Sequence, residues 1–195
     1  ASYDSSRLVS RDAWDCYVDN ILDRNILPER NVKLYITEFD EFIREVKRRN
    51  WHRELTNFFE GSIDVAVVKK FYANLYYPED KAPKQVRVQG HLIKFDADSL
   101  NTFLKTLVVE ARPLRAGLAV EALEEGSYNS VMKMDMNIGA FISGQISLIA
   151  QSNSSRLGFP ALIIALCKAR GVTSDSLTYE SLSPAINLAY IKKNC

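Results

Sequence analysis

Few residues in this 195-residue chain have the capacity for chemistry, and they gather in its first half. Lys47, Arg48, Arg49 and Arg53 surround Trp51, and Lys69 and Lys70 follow one segment later. A basic cluster with an embedded aromatic can contact phosphates and stack on a base. The same residues also suit a scaffold: cations are favoured at a helix C-terminus, Trp51 can anchor a core, and Glu45 and Glu54 partly neutralise the cluster. His52 and His91 are the only histidines, and His91, next to Gly90, reads as a solvated hairpin residue rather than a base. Asp96 and Asp98 can join Asp64 or Glu60 as an acidic metal site of the recombinase kind, although their places at helix starts already have a capping explanation, which is the favoured one. Cys167 sits in an apolar segment and reads as a small packed hydrophobe, since a reactive thiol needs an electropositive, partly open setting. No phosphate loop, dinucleotide fingerprint or nucleophile elbow occurs. The expectation is therefore a chain with no catalytic residue, no metal site and no cofactor.

The elements that must position these residues are mostly helices. Ser10 caps a first helix in which Trp14, Val18, Ile21 and Leu22 recur at helical spacing. Pro28 and Asn31 then break the period, and Val32, Leu34 and Ile36 alternate as a short strand or extended arm. From Thr37 an amphipathic helix carries Phe39, Phe42, Ile43 and Val46 on one face. Ser62 and Asp64 start a third helix, whose wide apolar stripe (Val65, Val68, Tyr72 and Leu75, with Val67 and Phe71) predicts burial on more than one side. The segment VRVQGHLIKF predicts a hairpin turning at Gln89-Gly90, and Asp96 caps a fourth helix with Leu100, Phe103, Leu104 and Leu107.

Residues 108–130 are a candidate connector between two lobes. From about Val131 a longer helix is expected, with Ile138, Phe141, Ile142, Ile146 and Ile149 as its apolar side. Gly139, Ser143 and Ser147, four residues apart, favour close helix packing in the core over a dimer seam. Pro160 opens the next helix, with Leu162, Ile163 and Leu166 buried, and Gly171 ends it. Ser183-Pro184 is expected to start a final helix through Ile186, Ala189 and Tyr190. The fold class that results is mainly α: one compact multi-helix domain over residues 1–195 with one small β-hairpin near 86–95.

Charge and cysteine usage narrow the setting. Lys plus Arg (25) nearly cancels Asp plus Glu (24), so no global charge draws the chain to nucleic acid or an anionic membrane. Cys16, Cys167 and Cys195 are odd in number and widely spaced, unlike a disulfide framework. The opening ASYDSSRLVSRDAW lacks a signal-peptide pattern, and the apolar run at Ile138 to Ala150 falls short of the ~20 residues a bilayer span requires. These features predict an intracellular protein, nuclear or cytoplasmic, with no membrane association.

Five segments together carry a family resemblance. RNILPERNVKL, the Trp51 segment, FYANLYYPED, VRVQGHLIKFDADSLNTFL and LGFPALIIALCKARGV resemble the plant transposon protein domain. That domain occurs in plant retrotransposon open reading frames, including the first reading frame of Athila-type elements, and in host proteins derived from them. The resemblance covers most of residues 24–107 and 136–172 and implies ancestry rather than a reaction, because none of the matched residues is a known catalytic signature. Combined with the balanced charge, it suggests a non-enzymatic module that binds another protein through exposed aromatics near Tyr76 and Tyr77. The alternative is a nucleic-acid-binding module using Lys47, Arg48, Arg49, Trp51, Arg53, Lys69 and Lys70. A third reading is a remnant metal-dependent nuclease or transposase built on Asp96 and Asp98.

Overall fold

The computed structural model describes residues 8–27, 29–32, 44, 47–48, 63–75, 84–106, 137–153, 155–173, 179–180 and 183–186. Among them helices dominate. The first, α1 (Arg11–Cys16), is capped by Ser10, whose Oγ accepts a hydrogen bond from the Ala13 N–H at 3.1 Å. It continues as a π-helical turn over Tyr17–Ile21, closed by the Leu22 N–H donating to the Tyr17 carbonyl at 2.8 Å. This wider turn changes part of the expected face: Ile21 is buried and Trp14 packs against the core as expected, with Ala13 and Cys16 also inside, while Val18 and Leu22 are each 44% exposed. A period of 3.6 carried forward from Trp14 loses phase where the winding changes.

Asp64 Oδ1 accepts from the Ala66 and Val67 N–H groups and so starts α2 (Val65–Asn74), as its sequence position implies. Val67, Val68, Phe71, Tyr72, Ala73 and Asn74 are all buried, which the breadth of the stripe foretold. Phe71 meets Tyr72 and Phe95 edge-on, with ring centroids 5.6 and 5.8 Å apart. The hairpin pairs β3 (Gln85–Val88) with β4 (His91–Lys94) in the register Val86↔Ile93 and Val88↔His91. Gln89 and Gly90 both have positive φ, 49° and 82°, as a tight two-residue turn between twisted strands requires. Val86, Val88 and Ile93 face the core and Arg87 faces water.

Asp96 caps α3 (Ala97–Leu104), its Oδ1 accepting from the Ser99 N–H and its Oδ2 from the Ser99 hydroxyl. Asn137, extended and capping, begins α4 (Ile138–Gln151), so this helix starts at Ile138 and not near Val131. The inner side of α4 lies on α3 at very short range: a Cβ added at Gly139 would stand 2.4 Å from the Ala97 carbonyl oxygen and 2.7 Å from Asn101 Cγ. Buried Asn101 closes that seam. Its Nδ2 donates to Asn137 Oδ1, and its Oδ1 accepts from the Gly139 N–H and the Thr106 hydroxyl. Gly139 and Ser143 of the small-residue series thus serve core packing, as expected, whereas Ser147 lies at the flank, where Lys84 donates to it.

Pro160 is the first residue of α5 (Pro160–Ala169), and Gly171, with φ of 87°, ends it. The Val172 N–H reaches the Cys167 carbonyl and the Gly171 N–H the Lys168 carbonyl, the two bonds of a Schellman close. Two further short pairings hold distant segments: β1 (Arg30–Val32) is parallel to β6 (Ser183–Ile186), and β2 (Ile63–Asp64) is antiparallel to β5 (Tyr179–Glu180). The strand at Ser183–Ile186 replaces the helix expected to start there. Pro184 suits a sheet edge as well as a helix start, and the strand partner at Arg30–Val32, far earlier in the chain, decides between them. Among the described residues no helix is long and apolar enough to cross a membrane.

Candidate functional site

Of the residues proposed to bind nucleic acid, Lys47 and Arg48 are helical and exposed, as is Arg44 one turn earlier. Lys69 and Lys70 lie half-buried on α2, and Lys69 Nζ donates to the Leu22 carbonyl, tying α2 to the end of the π turn. Arg49, Trp51 and Arg53, and the aromatic pair Tyr76 and Tyr77, fall outside the described residues, as do His52 and Glu60. His91 is exposed at the start of β4 and borders the α5 terminus, with its Cε1 3.4 Å from where a Cβ on Gly171 would stand. The carboxylates weighed for metal binding are engaged in capping at Asp64 and Asp96. Among the described residues no three His, Cys, Asp or Glu side chains converge as a metal site.

A polar junction that residue spacing did not reveal lies where the 24–29 segment crosses the loop between α4 and α5. Arg24 is only 8% exposed. Its Nη2 donates to the Ile149 carbonyl in the last turn of α4 at 3.0 Å and to Ser155 Oγ at 2.7 Å, and its Nε donates to the Ser155 carbonyl at 2.7 Å. The guanidinium is therefore a cationic cap on the negative end of α4. Nη1 has no hydrogen-bond partner. Burial lowers the Arg24 pKa from its ordinary value, opposed by Tyr72 and Cys16.

Five residues on, Glu29 does the converse for α5. Phe159, the residue before that helix, has φ of 51° and offers no side-chain cap. Glu29 takes over: its carboxylate oxygens accept from the Ala161 N–H at 3.1 and 2.8 Å and from the Leu162 N–H at 3.2 Å. Burial raises its pKa against the opposing pull of those N–H groups. Between the two charges, the Leu27 N–H donates to the Leu157 carbonyl and the Leu157 N–H to the Asn25 carbonyl, a parallel bridge that sets the register. From the other side the Tyr72 hydroxyl donates to the Gly158 carbonyl at 2.9 Å, and burial pushes the phenol well up.

This junction holds the 24–29 segment, the α4–α5 loop and α2 together. Most of its hydrogen bonds run to backbone groups of the α4–α5 loop and the two helix ends. The nearby Cys16 thiol is raised by burial, and Cys167 is pushed up to about 12, so neither presents a thiolate at neutral pH. The FYAN segment of the family resemblance has the same character. Phe71 fills the core, Tyr72 grips the α4–α5 loop, and Asn74 accepts from the Val9 N–H while donating to the Arg87 carbonyl.

The outer face of α4 differs. Phe141 is 48% and Leu148 59% exposed, against the expectation that Phe141 would be inside. A Cβ at Gly144, between them, would meet nothing within 4 Å. None of the 14 residues of α4 carries a charge. A helix with one wet face ordinarily places charges there. The signal was present in the sequence as too many apolar residues for one stripe, with no charge anywhere around the helix. No family model, curated protein or solved structure matches this chain.

Proposed function

We propose that the chain is a non-enzymatic protein-interaction module derived from a plant retrotransposon protein, working inside the cell. The observation that carries this reading is the uncharged outer face of α4, with Phe141 and Leu148 standing in solvent. Exposed aromatic and aliphatic side chains rimmed by polar ones are the usual anchors of a protein interface. The resemblance quoted above supplies the ancestry. The test compares the wild-type chain with a Phe141→Asp/Leu148→Asp variant in pull-downs and mass photometry. Complexes formed by the wild type should be lost in the variant while its circular dichroism is unchanged. A wild-type chain that stays monomeric and retains no reproducible partner overturns the reading.

A second reading has its own observation. Arg44, Lys47 and Arg48 share the i, i+3, i+4 spacing of one helical face and are exposed. A nucleic-acid contact there would weaken steeply with salt, because each neutralised phosphate releases counterions. Fluorescence anisotropy with single- and double-stranded DNA and RNA over rising salt, repeated with Lys47→Glu/Arg48→Glu, decides it. Absence of salt-sensitive binding removes this alternative.

A further inference from the structure

We infer that the outer face of α1 and its π turn docks a basic, amphipathic segment of another protein. This surface belongs to a different element from the α4 face, so the two stand or fall separately. Val18 and Leu22 continue a row begun by Trp14, and Asp19 continues one begun by Asp15, each step being four residues. Side chains four apart drift around the axis of an α-helix, and the wider winding over Tyr17–Ile21 reduces that drift, so each row stays in line. With Ala13, Cys16 and Ile21 turned inside, both rows reach solvent: Val18 and Leu22 are largely exposed, Trp14 is half-buried against the core, and Asp12, Asp15, Asp19 and Asp23 are exposed. Two exposed aliphatic side chains alone would be ordinary. Their place beside four carboxylates is what selects a partner.

Charge decides what can cover the apolar row. Residues 9–23 carry Asp12, Asp15, Asp19 and Asp23 against Arg11, in a chain whose acidic and basic residues otherwise balance. Among the described residues the ion pair on this face is Arg11 Nε with Asp15 Oδ1 at 3.3 Å, an exposed contact that neutralises little. Lys69 reaches the segment from α2, but its Nζ donates to the Leu22 carbonyl. A second copy of the same face would set carboxylate against carboxylate, and an uncharged apolar cover would desolvate them without a partner. Nucleic acid and anionic lipid are repelled by the same groups. A segment with aliphatic or aromatic side chains on one side and Lys or Arg along its edge satisfies both rows. Its apolar side chains cover Val18, Leu22 and the exposed part of Trp14, while its cations meet Asp15, Asp19 and Asp23 at the rim. A face of this length suits peptide docking rather than a permanent assembly, so the affinity is of roughly micromolar order.

Fluorescence anisotropy of the full chain with two labelled synthetic helical peptides, alike in a row of Leu and differing only in Lys or Glu flanks, tests this. The Lys/Leu peptide should bind and weaken as salt rises, and the Glu/Leu peptide should not bind. Asp19→Lys/Asp23→Lys, which spares the Arg11–Asp15 pair, should raise the Kd of the Lys/Leu peptide at least about tenfold. Val18→Ser/Leu22→Ser should raise it by a similar factor. All four positions are exposed, so circular dichroism and thermal unfolding of both variants should match the wild type. Phe141→Asp/Leu148→Asp should leave the peptide affinity unchanged, which keeps this test separate from that of the α4 face. Failure of the Lys/Leu peptide to bind, equal binding of both peptides, or a Kd that either α1 double variant leaves unmoved overturns the inference. Binding lost in Phe141→Asp/Leu148→Asp instead would put the peptide on α4 and overturn it as well.

Discussion

Two helix starts, α3 and α5, solve one physical problem in opposite ways. Each must satisfy N–H groups left over by its first turn. At α3 the answer is local: Asp96 is adjacent in sequence, half-exposed, and bonded to both the N–H and the hydroxyl of Ser99. At α5 it comes from Glu29, 132 residues away and driven into a desolvated position. The same segment caps the end of α4 through Arg24, so one short crossing serves two helices with charges of the sign each requires. A local cap stabilises its own helix, whereas a remote cap also fixes where two helices lie.

That contrast predicts an order of costs. Arg24→Ala should have the largest effect, a loss of about 3 kcal/mol, because three hydrogen bonds of a buried guanidinium vanish and partly buried carbonyls at Ile149 and Ser155 lose that partner. Urea unfolding monitored by circular dichroism measures it, and a loss below that of Asp96→Ala would break the comparison. Glu29→Ala should follow at about 2 kcal/mol, and Asp96→Ala at about 1 kcal/mol. The first should also increase amide exchange at Ala161 and Leu162 while leaving α3 unaltered, and the second should do the reverse.

The smallest effect sharpens the distinction most. The Asp96 pKa is lowered, chiefly by the Ser99 hydroxyl, so its contribution is present above the ordinary value of 3.8 and lost as pH falls through the lower folded value. For Glu29 the pKa is raised by burial, so the native state holds its proton more readily than the unfolded chain. That proton-linked part of its contribution is complete below the ordinary value of 4.5 and disappears as pH rises through the higher folded one, leaving the cap hydrogen bonds. Stability–pH curves for Asp96→Asn and Glu29→Gln, each set against the wild type, should therefore differ from it with opposite slopes. Equal slopes would mean that Glu29 is as well solvated as Asp96.

Legibility followed the range of each interaction. Ser10, Asp64 and Asp96 were readable as caps because donor and acceptor lie within three residues of each other. The Gln89-Gly90 turn, Pro160 and Gly171 were readable because their backbone conformations restrict which residues fit. The π turn at Tyr17–Ile21 was not, and it misplaced Val18 and Leu22. Helical spacing groups Phe141 with the apolar side of α4; only the position of α3 and the core shows that α4 has an apolar side left over.

By itself the amino-acid sequence determined the mainly helical class, the hairpin and most helix boundaries, since these depend on propensity, period and capping over a few residues. Tertiary structure alone decided that Arg24 and Glu29 are caps, that Ser183–Ile186 is a strand, and which face of α4 remains in water. Each of those outcomes depends on a partner more than 100 residues away or on another helix, and no local preference encodes that.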